Sequence, residues 1–107
     1  MSGTPPAFAA QDPTSLSRDQ IEARRQALLQ SMLQDPSNLD VAFEYASLSS
    51  QVGDYEAAVS TLERMLIFAP NTPRLQLELG ILYYRLGSYG VARSYFAQVV
   101  ANPSVPA

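Results

Sequence analysis

Two turns with matching sequences lie 34 residues apart, and this internal repeat constrains the fold more than any other feature. The stretch Gly53-Asp54-Tyr55-Glu56-Ala57-Ala58 returns as Gly87-Ser88-Tyr89-Gly90-Val91-Ala92. A repeat of this length is typical of stacked pairs of helices. The same offset matches further positions, which pair Pro36 with Pro70, Glu44 with Glu78 and Leu48 with Leu82.

Each repeated turn has the residues that end one helix and begin another. Gly53 and Gly87 follow apolar runs at helical spacing, where a residue that accepts positive φ commonly ends a helix. Asp54 and Ser88 come next, and both are residue types that cap a helix N-terminus. We therefore predict a helix on each side of each glycine, with a very short turn between them.

Two further helix starts are related by the same offset. Asn38 and Thr72 are matched N-cap residues. Pro73 follows Thr72 at a first helical position, where its missing N–H is tolerated.

A separate helix is predicted upstream of both units. Ser17 and Gln20 have the spacing of a capping box, and an apolar stripe follows them until Pro36. With this element the sequence predicts five helices: one over residues 17–35, two in a first unit over 39–70, and two in a second unit over 73–102.

Small and aromatic side chains recur at fixed offsets in both units. The second unit has Leu79, Gly80, Tyr83, Ala92 and Phe96, and the first has Tyr45, Ala46, Ser49, Ala58 and Leu62. This order resembles the tetratricopeptide repeat, a 34-residue helix-turn-helix unit. The chain departs from that pattern where Gln76 and Ala42 replace the usual Trp. The resemblance implies an all-α array of stacked helix hairpins.

The resemblance leaves two alternatives for the first helix. Ser31 and Pro36 match small and Pro positions of a partial repeat, but Arg24 stands where the family has Ala. The helix is therefore either a decayed repeat or a capping helix that shields the first complete hairpin.

The composition excludes several kinds of chemistry. The 107 residues include no Cys, His, Trp or Lys, so the chain lacks a thiol nucleophile, an imidazole base and a Schiff-base lysine. We predict that it is not an enzyme and uses no cofactor or metal. The net charge of -3 disfavours nucleic acid as a partner, and no stretch is long enough for membrane insertion.

The first residues do not match the repeat. Residues 1–14 are rich in Pro and small residues, so we predict a disordered tail ahead of a domain over 15–107. Within the tail, Ala7-Phe8-Ala9 is similar to a signal-peptidase cleavage site, although no apolar leader precedes it. An exported or periplasmic location and a cytoplasmic one both remain open.

The resemblance implies that one face of each unit's first helix lines a groove for a partner peptide or helix. The groove positions would be Phe43, Glu44, Ser47, Leu77, Glu78, Ile81, Tyr84 and Arg85. Phe43 and Tyr84 would anchor the partner, and Arg85 would meet a carboxylate. Two alternatives stay open: helix 17–35 covers the apolar groove residues, and Arg85 only complements the helix dipole.

The last helix of such an array exposes an apolar face when nothing covers it. We predict an open end at Val91, Tyr95 and Val99. Two alternatives stay open: the natural protein continues beyond Ala107, or two copies pack end to end. The isolated chain is then expected either to form a weak homodimer or to fray after about Val99.

Two function classes follow from the resemblance. The first is a protein–protein interaction module that binds a peptide or helix, with a bacterial envelope assembly factor as one setting. The alternative is an architectural or oligomerisation element of a larger repeat protein.

Overall fold

The computed structural model describes residues 16–106, which form five α-helices and no strand. The helices are α1 (Arg18–Gln34), α2 (Leu39–Gln51), α3 (Tyr55–Met65), α4 (Pro73–Arg85) and α5 (Tyr89–Ala101). The predicted all-α helical array is confirmed. The tail predicted over residues 1–14, with its cleavage-like sequence, lies outside the described residues.

Both repeated turns adopt the same backbone geometry. Gly53 and Gly87 each have φ of 81°, a left-handed conformation that favours glycine. In each turn, the residue after the glycine donates its backbone N–H to the carbonyl five residues earlier, at 2.8 and 2.9 Å. The two glycines therefore occupy equivalent bends.

Polar side chains cap three of the helices. Ser17 and Gln20 form the predicted capping box at the start of α1, with distances of 2.8 and 3.2 Å. Asn38 accepts from the backbone at the start of α2, and Asp54 does so at the start of α3. Thr72 and Ser88 occupy the expected N-cap positions but make no side-chain cap hydrogen bond.

Helix α3 ends earlier than its apolar pattern indicates. The sequence predicts a first unit that continues to residue 70, but the α-helix ends at Met65 and residues 66–68 form turns. The N–H of Phe68 donates to the carbonyl three residues back, at Met65, which tightens the chain before Pro70.

Consecutive helices pack against each other in chain order. Ile21 and Leu28 of α1 pack on Tyr45 and Leu48 of α2. A second core joins α2, α3 and α4 through Ala42, Phe43, Ala46, Ala58, Leu62, Met65, Leu75, Leu79 and Leu82. The array is therefore a stack in which each helix is covered by its neighbours in the chain.

The two units fill one equivalent space with different pairs of side chains. Gly80 of α4 lies directly under Phe96 of α5, and a Cβ at Gly80 would come within 2.5 Å of that ring. The matching positions in the first unit are Ala46 and Leu62, both buried in the core. A larger side chain on one helix is thus balanced by a smaller one on the other.

Each junction between successive units contains a charged side chain that hydrogen-bonds to buried or partly buried polar groups. The charges at the two junctions have opposite signs. Positions 49 and 83 are equivalent in the repeat. Ser49 accepts from Nε of Arg25 at 3.1 Å, whereas the hydroxyl of Tyr83 donates to Glu63 at 2.7 Å. Tyr95 donates to the same carboxylate at 2.9 Å. The first junction is therefore organised by a cation and the second by an anion.

Candidate functional site: the α2–α4 groove

A groove of about 330 Å³ lies between the side chains of α2 and α4. Both helices are the first of their unit, so the repeat itself brings these two faces together. The groove, called here the α2–α4 groove, is lined by Phe43, Ala46, Ser47, Ser50, Gln51, Arg74, Glu78, Ile81, Leu82 and Arg85.

Five of the eight residues predicted for the groove line it: Phe43, Ser47, Glu78, Ile81 and Arg85. The other three do not. Glu44 faces α1 and pairs with Arg24. Leu77 is exposed outside the groove lining, and Tyr84 packs its ring 5.0 Å from that of Tyr89 on the outer side of α4.

Phe43 differs from the expected exposed anchor. Only 8% of it is exposed, and it belongs to the core shared by α2, α3 and α4. The guanidinium of Arg74 lies 3.9 Å from the centre of its ring, a cation–π geometry. Phe43 therefore forms the floor of the groove, and Arg74 covers it.

The groove has one cation without an internal partner. Arg74 approaches Glu78 at 4.0 Å, but Arg85 makes no ion pair within residues 16–106. Arg85 lies in the last turn of α4, where its charge also complements the helix dipole. Ile81, one turn earlier on the same helix, is exposed beside it. The groove thus presents an apolar side chain next to an unpaired positive charge.

Helix α1 contacts α2 away from the groove lining. Arg24 of α1 donates two hydrogen bonds to Glu44, at 2.7 and 2.9 Å. The hydrogen bond from Arg24 lowers the pKa of Glu44 from its ordinary value. No residue of α1 lines the groove, so the alternative in which this helix covers it is wrong for the described residues.

One of the three residues predicted at the open end, Tyr95, differs from the expectation. Val91 is exposed and Val99 is half-buried, but Tyr95 points into the stack. Its ring stacks on that of Tyr83 at 5.8 Å, and its hydroxyl bonds to Glu63. Burial and the hydrogen bond to Glu63 raise the pKa of Tyr95 well above its ordinary value.

A second hollow of about 760 Å³ lies between the end of α1 and the end of α3. Its lining is mostly apolar, with Leu29, Met32, Leu33, Met65, Ile67 and Phe68 among its residues. The sequence did not predict this hollow, because it depends on which side chains meet between two helices that are distant in the chain. At the equivalent place in the next unit, Glu63 and Tyr95 meet and hydrogen-bond.

Residues 16–106 contain no cluster of three or more acidic, His or Cys side chains arranged to hold a metal ion. None of the five helices combines the length and apolar character needed to cross a membrane.

Comparison with known proteins gives one family assignment. No curated protein matches the chain. Residues 46–104, more than half of the chain, match the family described as Tetratricopeptide repeat. The chain therefore belongs to the tetratricopeptide repeat family, whose arrays serve in protein–protein interaction.

Proposed function

We propose that the chain is a protein-interaction module that captures a peptide segment in the α2–α4 groove. The segment would carry an apolar side chain for Ile81 and a carboxylate for Arg85. Leu77 and Tyr84, expected in the groove, take no part in this contact.

One observation carries the proposal: an exposed apolar residue and an unpaired cation lie one turn apart on the wall of a preformed groove. Ile81 and Arg85 both line it, and burying an isolated positive charge under a partner requires a counter-charge from that partner. The groove lining adds neutral hydrogen-bonding groups from Ser47, Ser50 and Gln51. These groups suit a polypeptide backbone.

The test is selection of peptides from a displayed random library on the immobilised chain, followed by affinity measurement on synthesised peptides. We expect enriched sequences to combine an apolar residue with Asp or Glu. The double variant Ile81→Glu with Arg85→Glu should weaken their binding by more than about tenfold.

The matched control is Leu33→Glu with Arg18→Glu, which makes the same two kinds of substitution at exposed positions of α1 outside the groove. Circular dichroism verifies that both double variants fold. Enriched peptides that bind the groove variant as tightly as the unchanged chain would contradict the proposal, as would a library that yields no enrichment.

The wider setting stays a prediction from sequence. An envelope assembly factor in a bacterium requires an exported chain, and the cleavage-like residues that favour export lie outside the described region. An architectural role differs from peptide capture in one measurable respect: it leaves the α2–α4 groove unoccupied in the parent assembly.

A further inference from the structure

A hollow of about 560 Å³ lies where the start of α4 meets the end of α5. Among the described residues, it shares none with the α2–α4 groove. Its described lining has four carboxamides and no charged or aromatic side chain: Asn71, Gln76, Gln98, Ala101, Asn102, Pro103 and Ser104. We call it the amide hollow. Its volume lies in the range of protein sites for small ligands, and its hydrogen-bonding groups are all neutral.

Gln76 contributes a buried acceptor to the amide hollow. This residue is only 5% exposed, and its Nε2 donates to Oε1 of Gln98 at 3.3 Å. Its own Oε1 is buried and accepts no hydrogen bond from residues 16–106. A buried carbonyl oxygen without a donor costs free energy, so the site favours a molecule that supplies an N–H or O–H group. Gln98 is exposed, and its Nε2 is a donor beside that acceptor.

The amide hollow is particular to the second unit. By the 34-residue offset, Gln76 corresponds to Ala42 and Asn102 corresponds to Phe68. Ala42 is fully buried in the core shared by α2, α3 and α4. Gln76 also stands where the repeat family has Trp. The cluster of carboxamides is therefore a departure of this chain and not a part of the repeat that the stack requires.

Hydrogen bonds fix one side of the amide hollow. Nδ2 of Asn102 donates to the backbone carbonyl of Asn71 at 3.3 Å. Oδ1 of Asn102 accepts from the backbone N–H of Ser104 at 2.9 Å and from its hydroxyl at 2.7 Å. These contacts join the chain that follows α5 to the turn that precedes α4. A lining that is already ordered lowers the entropy cost of binding a ligand.

We infer that the amide hollow binds a short extended segment of polypeptide through its main chain. In an extended segment, the N–H and C=O of one residue point to the same side. They match the unpartnered Oε1 of Gln76 and the Nε2 of Gln98. The described lining has no charge to anchor an ionic group and no ring on which a planar ligand could stack. Recognition of the main chain at this site is independent of peptide capture in the α2–α4 groove.

Nuclear magnetic resonance of the full chain tests the inference, because the side-chain amide signals of Gln76 and Gln98 report the two groups directly. The probe is N-acetyl-triglycine N-methylamide. The matched probe is N-acetyl-trisarcosine dimethylamide, in which a methyl group replaces every N–H hydrogen. We expect the triglycine probe to shift both signals with a dissociation constant of about 1–10 mM. The trisarcosine probe should bind at least about tenfold more weakly, because it has no donor for Oε1 of Gln76.

Two variants remove the proposed partners one at a time. Gln76→Leu removes the acceptor, and Gln98→Leu removes the donor at an exposed position where folding is not at risk. Each should weaken binding of the triglycine probe by at least about tenfold, read from the remaining amide signal. The control Gln34→Leu makes the same change at an exposed position of α1. This control and the groove variant Ile81→Glu with Arg85→Glu should each change binding by less than about twofold.

Three results would overturn the inference. One is the absence of any shift at the highest soluble concentration of the triglycine probe, because an ordered water molecule then satisfies Oε1 of Gln76. Another is equal binding of the trisarcosine probe, because no N–H group is then recognised. The third is a neutral sugar, maltose, that shifts the same signals at lower concentration, because the site then selects hydroxyl groups. None of these results bears on the α2–α4 groove, whose own variant tests the proposed function separately.

Discussion

Nη2 of Arg25 donates to Oδ2 of Asp54 at 2.9 Å, which ties α1 to the residue that caps α3. The same guanidinium pairs with Glu22 at 3.0 Å, and Arg25 is only 9% exposed. Burial works to lower the pKa of Arg25, but the hydrogen bonds to Asp54 and Tyr45 outweigh it and raise the pKa. Its neighbour Arg24 holds Glu44 with equally short contacts, yet both of those side chains are about half exposed.

Replacing each of the two adjacent arginines separates a buried hydrogen bond from an exposed ion pair. Arg25→Met should lower the free energy of unfolding by about 1–2 kcal/mol, because it leaves the buried Ser49 hydroxyl without its partner and removes ion pairs to the half-exposed Glu22 and Asp54. Arg24→Met should leave the urea midpoint nearly unchanged, because water screens its pair. Equilibrium urea unfolding measures both variants. Equal losses for the two would show that α1 is held by surface charge and not by the buried contact.

The Glu63 cluster predicts a loss of stability at alkaline pH. Burial and the hydrogen bond to Glu63 raise the pKa of Tyr83 to about 12. This value lies above the ordinary phenol pKa of about 10. The cluster therefore contributes its full stability below about pH 10. The contribution is lost as pH rises through the folded pKa, over a window of about 10 to 12.

Phenolate absorbance measures the ionisation of the tyrosines across that pH window, and thermal unfolding measures the stability of the fold. Glu63→Gln removes the negative charge, so the late phenol transition should move to lower pH. Glu56→Gln is the control, since Glu56 is exposed on the same helix and contacts no tyrosine hydroxyl. If the phenol transition at high pH is unchanged in Glu63→Gln, then burial alone raises the pKa of Tyr83.

Gly80 and Phe96 should behave as a coupled pair. Gly80→Ala places a methyl group within 2.5 Å of the Phe96 ring and should cost about 1–3 kcal/mol. Adding Phe96→Leu recreates the pair that the first unit uses at Ala46 and Leu62, so the double variant should recover part of the loss.

The matched control is Gly90→Ala, because a Cβ there meets nothing within 4 Å. This variant should be neutral or more stable by up to about 1 kcal/mol, through higher helix propensity. Thermal unfolding of the unchanged chain, Gly80→Ala, Phe96→Leu and the double variant gives the coupling energy. Additive effects of Gly80→Ala and Phe96→Leu would mean that the ring moves aside without strain.

Phe43 and Tyr84, which the sequence treats as equal anchors, should respond differently to the same substitution. Phe43→Ser removes a core ring and should lower the free energy of unfolding by about 3 kcal/mol or more. Tyr84 is 60% exposed, so Tyr84→Ser should change it by less than about 1 kcal/mol. Urea unfolding compares the two, and similar losses would place Tyr84 in the core as well.

The sequence predicted the features that depend on local chemistry. The glycine bends, the capping box and the helix order follow from residues close together in the chain, and these appear in the structure. The groove positions came from the resemblance to the repeat family, and five of the eight line the α2–α4 groove.

Features that depend on distant neighbours could not be predicted in the same way. Arg24 and Arg25 are adjacent and chemically identical, and only the position of α2 decides which one is buried. Tyr95 was expected at the open end, because the sequence does not show that its hydroxyl donates a hydrogen bond to Glu63 on α3. Phe43 was expected either as a partner anchor or as core beneath the first helix, but it is Arg74 from the next unit that covers its ring.

The opposite charges at the two junctions also determine the order in which the helices stack. If α1 packed on α4 in place of α2, Arg25 would lie next to Ser88, because Ser88 is the repeat equivalent of Asp54. Arg25 would keep Glu22 of its own helix but lose the carboxylate of Asp54, a loss of about 1 kcal/mol, so the misthreaded stack is less stable than the native one. The two similar units are thereby kept in one order along the stack.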